Sequence, residues 1–252
     1  MINVLFLKRI FQNKMVWLSV LTAILLLMCT VVYRDGLSGK TYTFFSLFYD
    51  EEVREAMQGG IISLYELFIG VDEGYLWMFC PILVGTPSVI NSRTGRLVIF
   101  RSSKNGYCFS KLFSALFAGG VILLIAYVGF LAICMAVAGE FFWDGFVAKK
   151  LFSTFFWGMC SAIPSVLLLE FVRNKYLILC VPFVLNYLYC LFLGPALPYW
   201  INSYVSPQSY QILFFHDSKT TAIILGILAV QFLVCAGLKR MLLERRCDCG
   251  QQ

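Results

Sequence analysis

The sequence predicts an all-α integral membrane protein with six transmembrane helices, an N-terminal amphipathic interfacial helix and both termini in the cytosol. Of its 252 residues, 60% are hydrophobic and 13% are charged, and the mean hydropathy is +0.80. Soluble domains carry about 25% charged residues. A soluble fold of this size could not bury so much apolar surface. The composition therefore excludes an ordinary cytosolic enzyme, and it also excludes a disordered chain.

Six apolar stretches are long enough to cross a bilayer, which takes about 20 residues. The predicted spans cover about 15–33, 74–91, 112–138, 151–170, 177–194 and 220–238. They form a transmembrane domain over 15–238, with the interfacial helix over 1–14 and a cytosolic tail over 239–252. The apolar run 176–216 is long enough for two spans. We interpret it as one span, because a seventh span would move the basic tail outside.

The basic residues are unevenly distributed among the predicted loops. With both termini inside, the cytosolic segments hold 14 of the 20 Lys and Arg residues and only 3 of the 14 Asp and Glu residues. Basic residues are enriched on the cytosolic side of membrane proteins. The distribution predicts a multi-pass protein of the cell membrane, with a basic inner loop at 91–111 and an acidic outer loop at 34–73.

The first 14 residues have the pattern of a helix that lies along the membrane surface. Ile2, Leu5, Phe6 and Ile10 share one helical face. An apolar face of this kind inserts at the boundary between headgroups and acyl chains.

One short motif resembles part of a nucleotide site. Ser38-Gly39-Lys40-Thr41 has the last residues of a phosphate-binding loop, but that motif needs a further glycine where Arg34 stands. The segment also falls in the predicted outer loop, with no strand expected before it. We therefore expect ATP to be hydrolysed by another chain.

The constellations of hydrolytic enzymes are also missing. The acidic run at 51–55 has the wrong spacing for a paired-glutamate membrane protease, and His216 is the sole histidine. A catalytic metal usually needs at least two nitrogen ligands with a carboxylate. The sequence therefore predicts no catalytic residue, no metal site and no cofactor bound by this chain.

Two uncharged polar residues lie inside predicted spans, where polar groups are costly and often functional. Asn186 and Gln231 are candidates for lining a translocation path. Hydrogen bonding between helices is an equally good interpretation. Ala115 and Gly119 have the small-x-x-x-small spacing that permits close contact between helices.

The inner loop 91–111 has five basic residues and no acidic residue. Its centre, 97–100, is a single apolar turn between Arg96 and Arg101. A helix there would lie along the membrane surface with an apolar side and a basic side. A simpler interpretation is a basic loop that touches anionic lipid.

In this loop the chain resembles the membrane subunit of a type 2 ABC exporter, the ABC-2 permease family. The family pattern is a polar entry, a glycine, a short apolar turn, Ser or Thr, a small linker and a lysine at the start of the third span. The matching positions are Gly95, Leu97–Phe100, Ser102, Ser103 and Lys111. The prolines and aromatics of 195–215 are similar to the family's broken outer segment. One departure is that 91–94 lacks the acidic residues that often precede the glycine.

The resemblance implies a separate ABC ATP-binding subunit that carries ATP and Mg. Its docking surface would be Arg93, Gly95, Arg96, Leu97, Phe100, Arg101 and Lys104. A second copy of this chain, or a related permease, would complete the transporter. Membrane lipid and an amphiphilic cargo are the other expected partners, and nucleic acid is not expected.

The cargo is left open by the residues. An antimicrobial peptide or drug-like molecule, moved outward for self-immunity, is the first interpretation. An ABC permease for lipid-linked glycans is an alternative. A membrane scaffold or sensor that transports nothing is the alternative from a different class.

Overall fold

The computed structural model of the chain describes residues 11–29, 31–34, 41–43, 104–138, 145–171 and 213–249. It also describes isolated positions at 8, 49, 51, 177, 180, 181, 184, 188, 192, 193, 196–198, 201 and 204. The elements in chain order are helix α1 (Lys14–Cys29), strand β1 (Val31–Arg34), strand β2 (Thr41–Thr43), helix α2 (Lys104–Ala138), helix α3 (Gly145–Phe171), a 3-10 turn (Leu213–Phe215) and helix α4 (Ser218–Cys249).

The described part of the chain is helical apart from one short β-ribbon. Two of its helices are long and apolar enough to cross a membrane, over Leu112–Ala136 and Ser218–Leu238. Helix α1 contains a shorter apolar stretch, Lys14–Met28. The predicted span at 74–91 lies outside the described residues, and only isolated positions of 177–194 are described.

Helix boundaries differ from the predicted spans because charge does not end a helix. Helix α2 begins at Lys104, inside the predicted inner loop, and α3 begins at Gly145 rather than 151. Helix α4 continues through the predicted tail to Cys249. Its tail is rich in Leu, Lys, Arg and Glu, which are good helix formers. A stretch without charged residues therefore marks the apolar centre of a helix but not its ends.

The first predicted span is shorter than expected, because α1 ends at Cys29. Val31–Arg34 instead pairs antiparallel with Thr41–Thr43, and the register is irregular between Val31 and Tyr33. Val, Tyr and Thr fit a pleated ribbon better than a helix. The expectation that no strand precedes Ser38 is therefore wrong. Thr41 begins a strand, whereas a phosphate-binding loop leads into a helix.

The first turn of helix α1 is held by side-chain hydrogen bonds from Asn13 and Trp17. Asn13 is not helical, and its Oδ1 accepts the backbone N–H of Met15 at 3.0 Å. The indole Nε1 of Trp17 donates to the carbonyl of Phe11 at 2.7 Å. The cap separates α1 from the helical residues 11 and 12. Lys14 therefore belongs to α1 rather than to the predicted interfacial helix, most of which lies outside the described residues.

Helices α1 and α2 pack side by side and run in the same direction. Val20 and Ala118 belong to one buried apolar cluster. Further along both helices, a Cβ atom built on Gly129 would lie 2.9 Å from Cδ1 of Ile24. Later residues of α1 thus meet later residues of α2.

The closest helix contact is the crossing of α2 and α3, where two glycines bring the backbones together. A Cβ atom built on Gly119 would lie 2.6 Å from the carbonyl oxygen of Gly158, and one on Gly158 would lie 2.5 Å from that of Gly119. Real Cβ atoms do not come this close to a neighbour. Gly119 therefore makes the close contact that its small-residue spacing predicts, and Ala115 is fully buried in the same helix.

Helices α2 and α3 are antiparallel. The connection 139–144 can span about 25 Å at full extension, and α2 is about 52 Å long at 1.5 Å per residue. The start of α3 must therefore lie near the end of α2. The large side chains that are fully buried around this pair are Trp157, Tyr127, Phe130 and Leu27.

Helix α4 lies at the edge of the described bundle and runs parallel to α3. The ring of Phe214, just before α4, lies 6.3 Å from that of Phe152, and further on Gln231 contacts Cys160. The apolar window of α4 is 17% buried, compared with 61% for that of α2. Helix α2 is thus the central helix and α4 a peripheral one.

We predict that Gly158→Ala lowers stability because its methyl group would collide with the backbone of α2. Overpacking of this kind costs about 1–3 kcal/mol. The measurement is a thermal melt of the purified full chain in mild detergent, with tryptophan fluorescence as the signal. Gly226→Ala is the matched control, since nothing lies within 4 Å of its built Cβ atom. Equal melting temperatures for the two variants would contradict the backbone crossing.

Candidate functional site

The 3-10 turn Leu213–Phe215 locks the start of α4 onto α3. The backbone N–H of Phe214 donates to Oγ of Ser153 at 3.2 Å. The Phe214 ring packs against that of Phe156, with centroids 5.8 Å apart. Leu213 is fully buried, and its carbonyl accepts a hydrogen bond from the Thr221 hydroxyl at 2.9 Å. Polar and apolar contacts thus fix the same turn.

Asp217 caps the N-terminus of α4. Its carbonyl accepts the N–H of Thr221 at 2.9 Å, and its Oδ2 accepts the N–H of Thr220 at 3.4 Å. The positive end of the helix dipole favours a negative charge at this position. Hydrogen bonding by Thr220 holds the pKa of the exposed Asp217 carboxyl below its ordinary value.

His216 lies between the turn and the cap. Within the described residues its Nε2 atom is buried without a hydrogen-bond partner. The neighbouring Asp217 carboxylate is exposed and caps α4, and the Ser153 hydroxyl binds backbone. Groups of three metal-ligating side chains are absent from the described part of the chain. None of these contacts within the described residues gives His216 a hydrolytic partner.

A polar contact joins Gln231 of α4 to α3. The Cys160 thiol donates to Oε1 of Gln231 at 3.8 Å, and the Gln231 side chain is half-buried. The contact agrees with the alternative of hydrogen bonding between helices. A role of Gln231 in a translocation path stays a prediction.

Helix α3 has two buried faces and a row of buried polar residues between them. One face carries Gly158 and packs on α2. A second face carries Ser153 and Cys160 and packs on the 3-10 turn and α4. Between these two faces, Lys150, Thr154, Trp157 and Ser161 follow one another at intervals of four, three and four residues. This spacing places them in one row along the helix.

We call this row the polar stripe. Its four side chains all carry a nitrogen or oxygen atom, and none is more than 3% exposed. The Thr154 hydroxyl donates to the backbone carbonyl of Lys150 at 2.8 Å. Among the described residues, Oγ of Ser161 is buried and has no hydrogen-bond partner. Lys150 precedes the predicted span 151–170, and the structure shows it within α3.

The polar stripe is costly to bury. An unsatisfied buried hydroxyl such as that of Ser161 costs about 1–3 kcal/mol. Polar and ionisable groups at membrane depth usually mark a substrate or ion route. The stripe is therefore the strongest candidate for a functional surface in the described structure.

Most residues predicted to be functional lie outside the described part of the chain. These are Asn186 of the predicted path and Arg93, Gly95, Arg96, Leu97, Phe100 and Arg101 of the predicted docking surface. Lys104 is described and is the first residue of α2. The polar stripe was missed because only Asn, Gln and charged residues inside spans were considered. The four-three-four spacing of Lys, Thr, Trp and Ser was the available signal.

Comparison with known proteins leaves the family open. No family model matches the chain, and neither the curated proteins nor the solved structures contain a match.

We predict that Asp217→Ala lowers the melting temperature more than Asp217→Asn, because Asn retains an acceptor for the Thr220 N–H. The pKa of Asp217 is lowered by folding. Its stabilisation is therefore fully present above the ordinary Asp pKa and is lost as the pH falls through the lowered value.

The difference in melting temperature between the parent chain and Asp217→Asn should accordingly be smaller below about pH 3.9, the ordinary pKa of Asp, than at pH 7. A difference that persists unchanged in acid would show that the charge contributes nothing to the cap.

Proposed function

We propose that this chain is the transmembrane permease subunit of an ATP-driven ABC exporter. It spans the cell membrane six times with both termini in the cytosol, and it moves an amphiphilic cargo outward. An antimicrobial peptide or drug-like molecule is the proposed cargo, with self-immunity as the purpose. A separate ABC ATP-binding subunit supplies ATP hydrolysis.

The observation that carries this proposal is the continuity of α2 with the basic segment. Helix α2 begins at Lys104 and continues without interruption through the apolar stretch Leu112–Ala136. A helix transmits displacement along its axis because its backbone hydrogen bonds hold it rigid. A partner that binds the basic segment 91–111 would thus act directly on a membrane helix.

Helix directions support the six-span topology. Parallel α1 and α2 require an odd number of crossings in the chain that joins them, and the topology assigns one, at 74–91. Parallel α3 and α4 likewise require an odd number between Phe171 and Leu213, and the topology assigns one, at 177–194. Two spans in that second connection would make α3 and α4 antiparallel.

Packing provides a route from the docking surface to the polar stripe. Helix α2 crosses α3 at Gly119 and Gly158, and α3 carries the stripe. Closure of the ATPases would push α2, and the tight crossing would pass the movement to α3. Packed interfaces of this kind switch between discrete arrangements rather than deform continuously.

The decisive experiment is a pull-down of the tagged full chain from its native host in mild detergent, with mass spectrometry of what co-purifies. We expect a stoichiometric soluble protein that contains a phosphate-binding loop. Subunit ratios would then distinguish two identical permeases from two related ones. A chain that co-purifies only with proteins lacking a nucleotide site, in several detergents, would favour the scaffold or sensor.

We predict that substitutions in the docking surface uncouple the ATPase from the permease. Lys104→Glu reverses the charge at the start of α2, and Gly95→Leu adds bulk beside the apolar turn. The readout is the change in ATPase turnover between the complex in nanodiscs and the isolated ATPase subunit. We expect each substitution to reduce that change by about fivefold or more.

Arg240→Glu is the matched control for Lys104→Glu. Arg240 is an exposed basic residue of α4 on the same predicted side of the membrane. Lys104→Glu and Gly95→Leu complexes that assemble and turn over like the Arg240→Glu complex would contradict the docking surface.

A further inference from the structure

One exposed face of α1 changes from charged to aromatic to aliphatic along the helix. Residues three or four positions apart share a helical face. We call this face the graded face, and its members are Lys14, Trp17, Leu18, Leu21 and Leu25. All five side chains are exposed, the four apolar ones by 48–55%. The same order of polarity runs from the headgroup of a phospholipid to its acyl chains.

The graded face consists of large side chains, unlike the closest helix contact of this chain. Helices inside membranes approach one another through small residues, as α2 and α3 do at Gly119 and Gly158. Helix α1 packs on α2 through its opposite side, where Val16 and Val20 cluster with Ala118. Trp and Leu on the exposed side therefore fit lipid chains better than the backbone of another helix.

The polar groups beside the apolar part of the graded face are satisfied by the chain itself. The indole Nε1 of Trp17 donates to the carbonyl of Phe11 at 2.7 Å. The Thr22 hydroxyl donates to the carbonyl of Leu18 at 2.8 Å. Hydrocarbon can therefore cover these residues without leaving either donor unpaired.

The graded face is as long as one leaflet of a bilayer. Leu25 is 11 residues after Lys14, a rise of about 16 Å along the helix. The hydrocarbon core is about 30 Å thick, so one leaflet contributes about 15 Å. When Lys14 lies at the headgroups, Trp17 lies in the interfacial region where tryptophan is enriched, and Leu25 lies near the midplane.

The polar end of the graded face is positively charged. The first 14 residues contain Lys8, Arg9 and Lys14 and no acidic residue. Of these, Lys8 and Lys14 are described, and both are exposed. Basic residues beside a membrane helix attract anionic lipid. Charge and length thus indicate the same occupant.

We propose that the graded face binds an anionic phospholipid, with its headgroup at Lys14 and one acyl chain along the apolar residues. The proposed function places this lipid in the inner leaflet, and only that side assignment rests on it. Zwitterionic lipid fits the same apolar surface, so the preference for a negative headgroup is the contribution of Lys14. The hydrogen bond from Trp17 to Phe11 holds the indole ring in place between headgroup and chain.

Quenching by brominated lipid measures the preference for charge at this face. The full chain is reconstituted in phosphatidylcholine vesicles that contain either brominated phosphatidylglycerol or brominated phosphatidylcholine at the same mole fraction. The chain has five tryptophans, so the Trp17 signal is taken as the difference between the parent chain and Trp17→Phe. We expect phosphatidylglycerol to be enriched about fivefold over phosphatidylcholine beside Trp17.

Lys14→Gln tests whether the lysine recognises the headgroup, again through the difference on Trp17→Phe. The preference should fall to about twofold or less, with the remainder supplied by Lys8 and Arg9. Lys149→Gln is the matched control, because Lys149 is another exposed lysine, near the start of α3. It should leave the fivefold preference intact. Equal quenching by the two lipids in the parent chain, or the same loss in both variants, would overturn the proposal.

Bromine position tests whether an acyl chain lies along the face. Leu25→Trp in the Trp17→Phe background moves the reporter about 12 Å deeper. Position 25 is exposed, so the larger ring needs no space in the core. Bromine near the headgroup end of the chain should quench Trp17 more strongly, and bromine near the methyl end should quench the Leu25→Trp variant more strongly. A second helix or a second copy covering the face would leave both reporters unquenched, which would overturn the proposal.

The two proposals fail separately. A pull-down without an ATPase removes the ABC exporter and leaves the lipid site standing. A co-purifying ATPase with equal quenching by the two lipids retains the exporter and removes the lipid site.

Discussion

The backbone crossing of Gly119 and Gly158 is the constraint on which the described architecture depends. Because a Cβ atom on either glycine would collide with the carbonyl oxygen of the other, α2 and α3 are in direct backbone contact. The interface gains dispersion contacts along both backbones, which matter most where lipid removes the hydrophobic drive for helix association. The other elements are placed relative to this pair. Helix α1 packs on α2, and the 3-10 turn fixes the start of α4 to α3.

Helix α3 packs on its neighbours through two buried faces, one against α2 and one against the 3-10 turn and α4. The polar stripe runs between these two faces. Both faces are satisfied by apolar packing and by bonds such as that between Phe214 and Ser153. Within the stripe the Thr154 hydroxyl bonds its own helix, and the Ser161 hydroxyl finds no partner among the described residues. Buried polar groups thus lie between the two faces through which α3 packs on its neighbours.

Much of the helical content follows from the sequence, because apolar stretches without charge have one stable form in a bilayer. Helices α2, α3 and α4 each contain a predicted span. The helices continue beyond those spans, since Lys104 and Arg240 are helical despite their charge. The β-ribbon depends on pairing between Val31 and Thr43, a contact that local pattern does not encode. The polar stripe was missed because Lys150 was counted as a loop charge and never compared with Thr154 and Ser161.

The position of the crossing along α2 has a mechanical consequence. Gly119 lies 15 residues from Lys104 and 19 residues from Ala138, so the crossing divides α2 into arms of about 22 Å and about 28 Å. A fulcrum placed this way converts a tilt of one arm into an opposite displacement of similar size in the other. Helix α2 is in this sense a lever with nearly balanced arms. Widening of the α2–α3 gap at one end of α2 is then accompanied by narrowing at the other end.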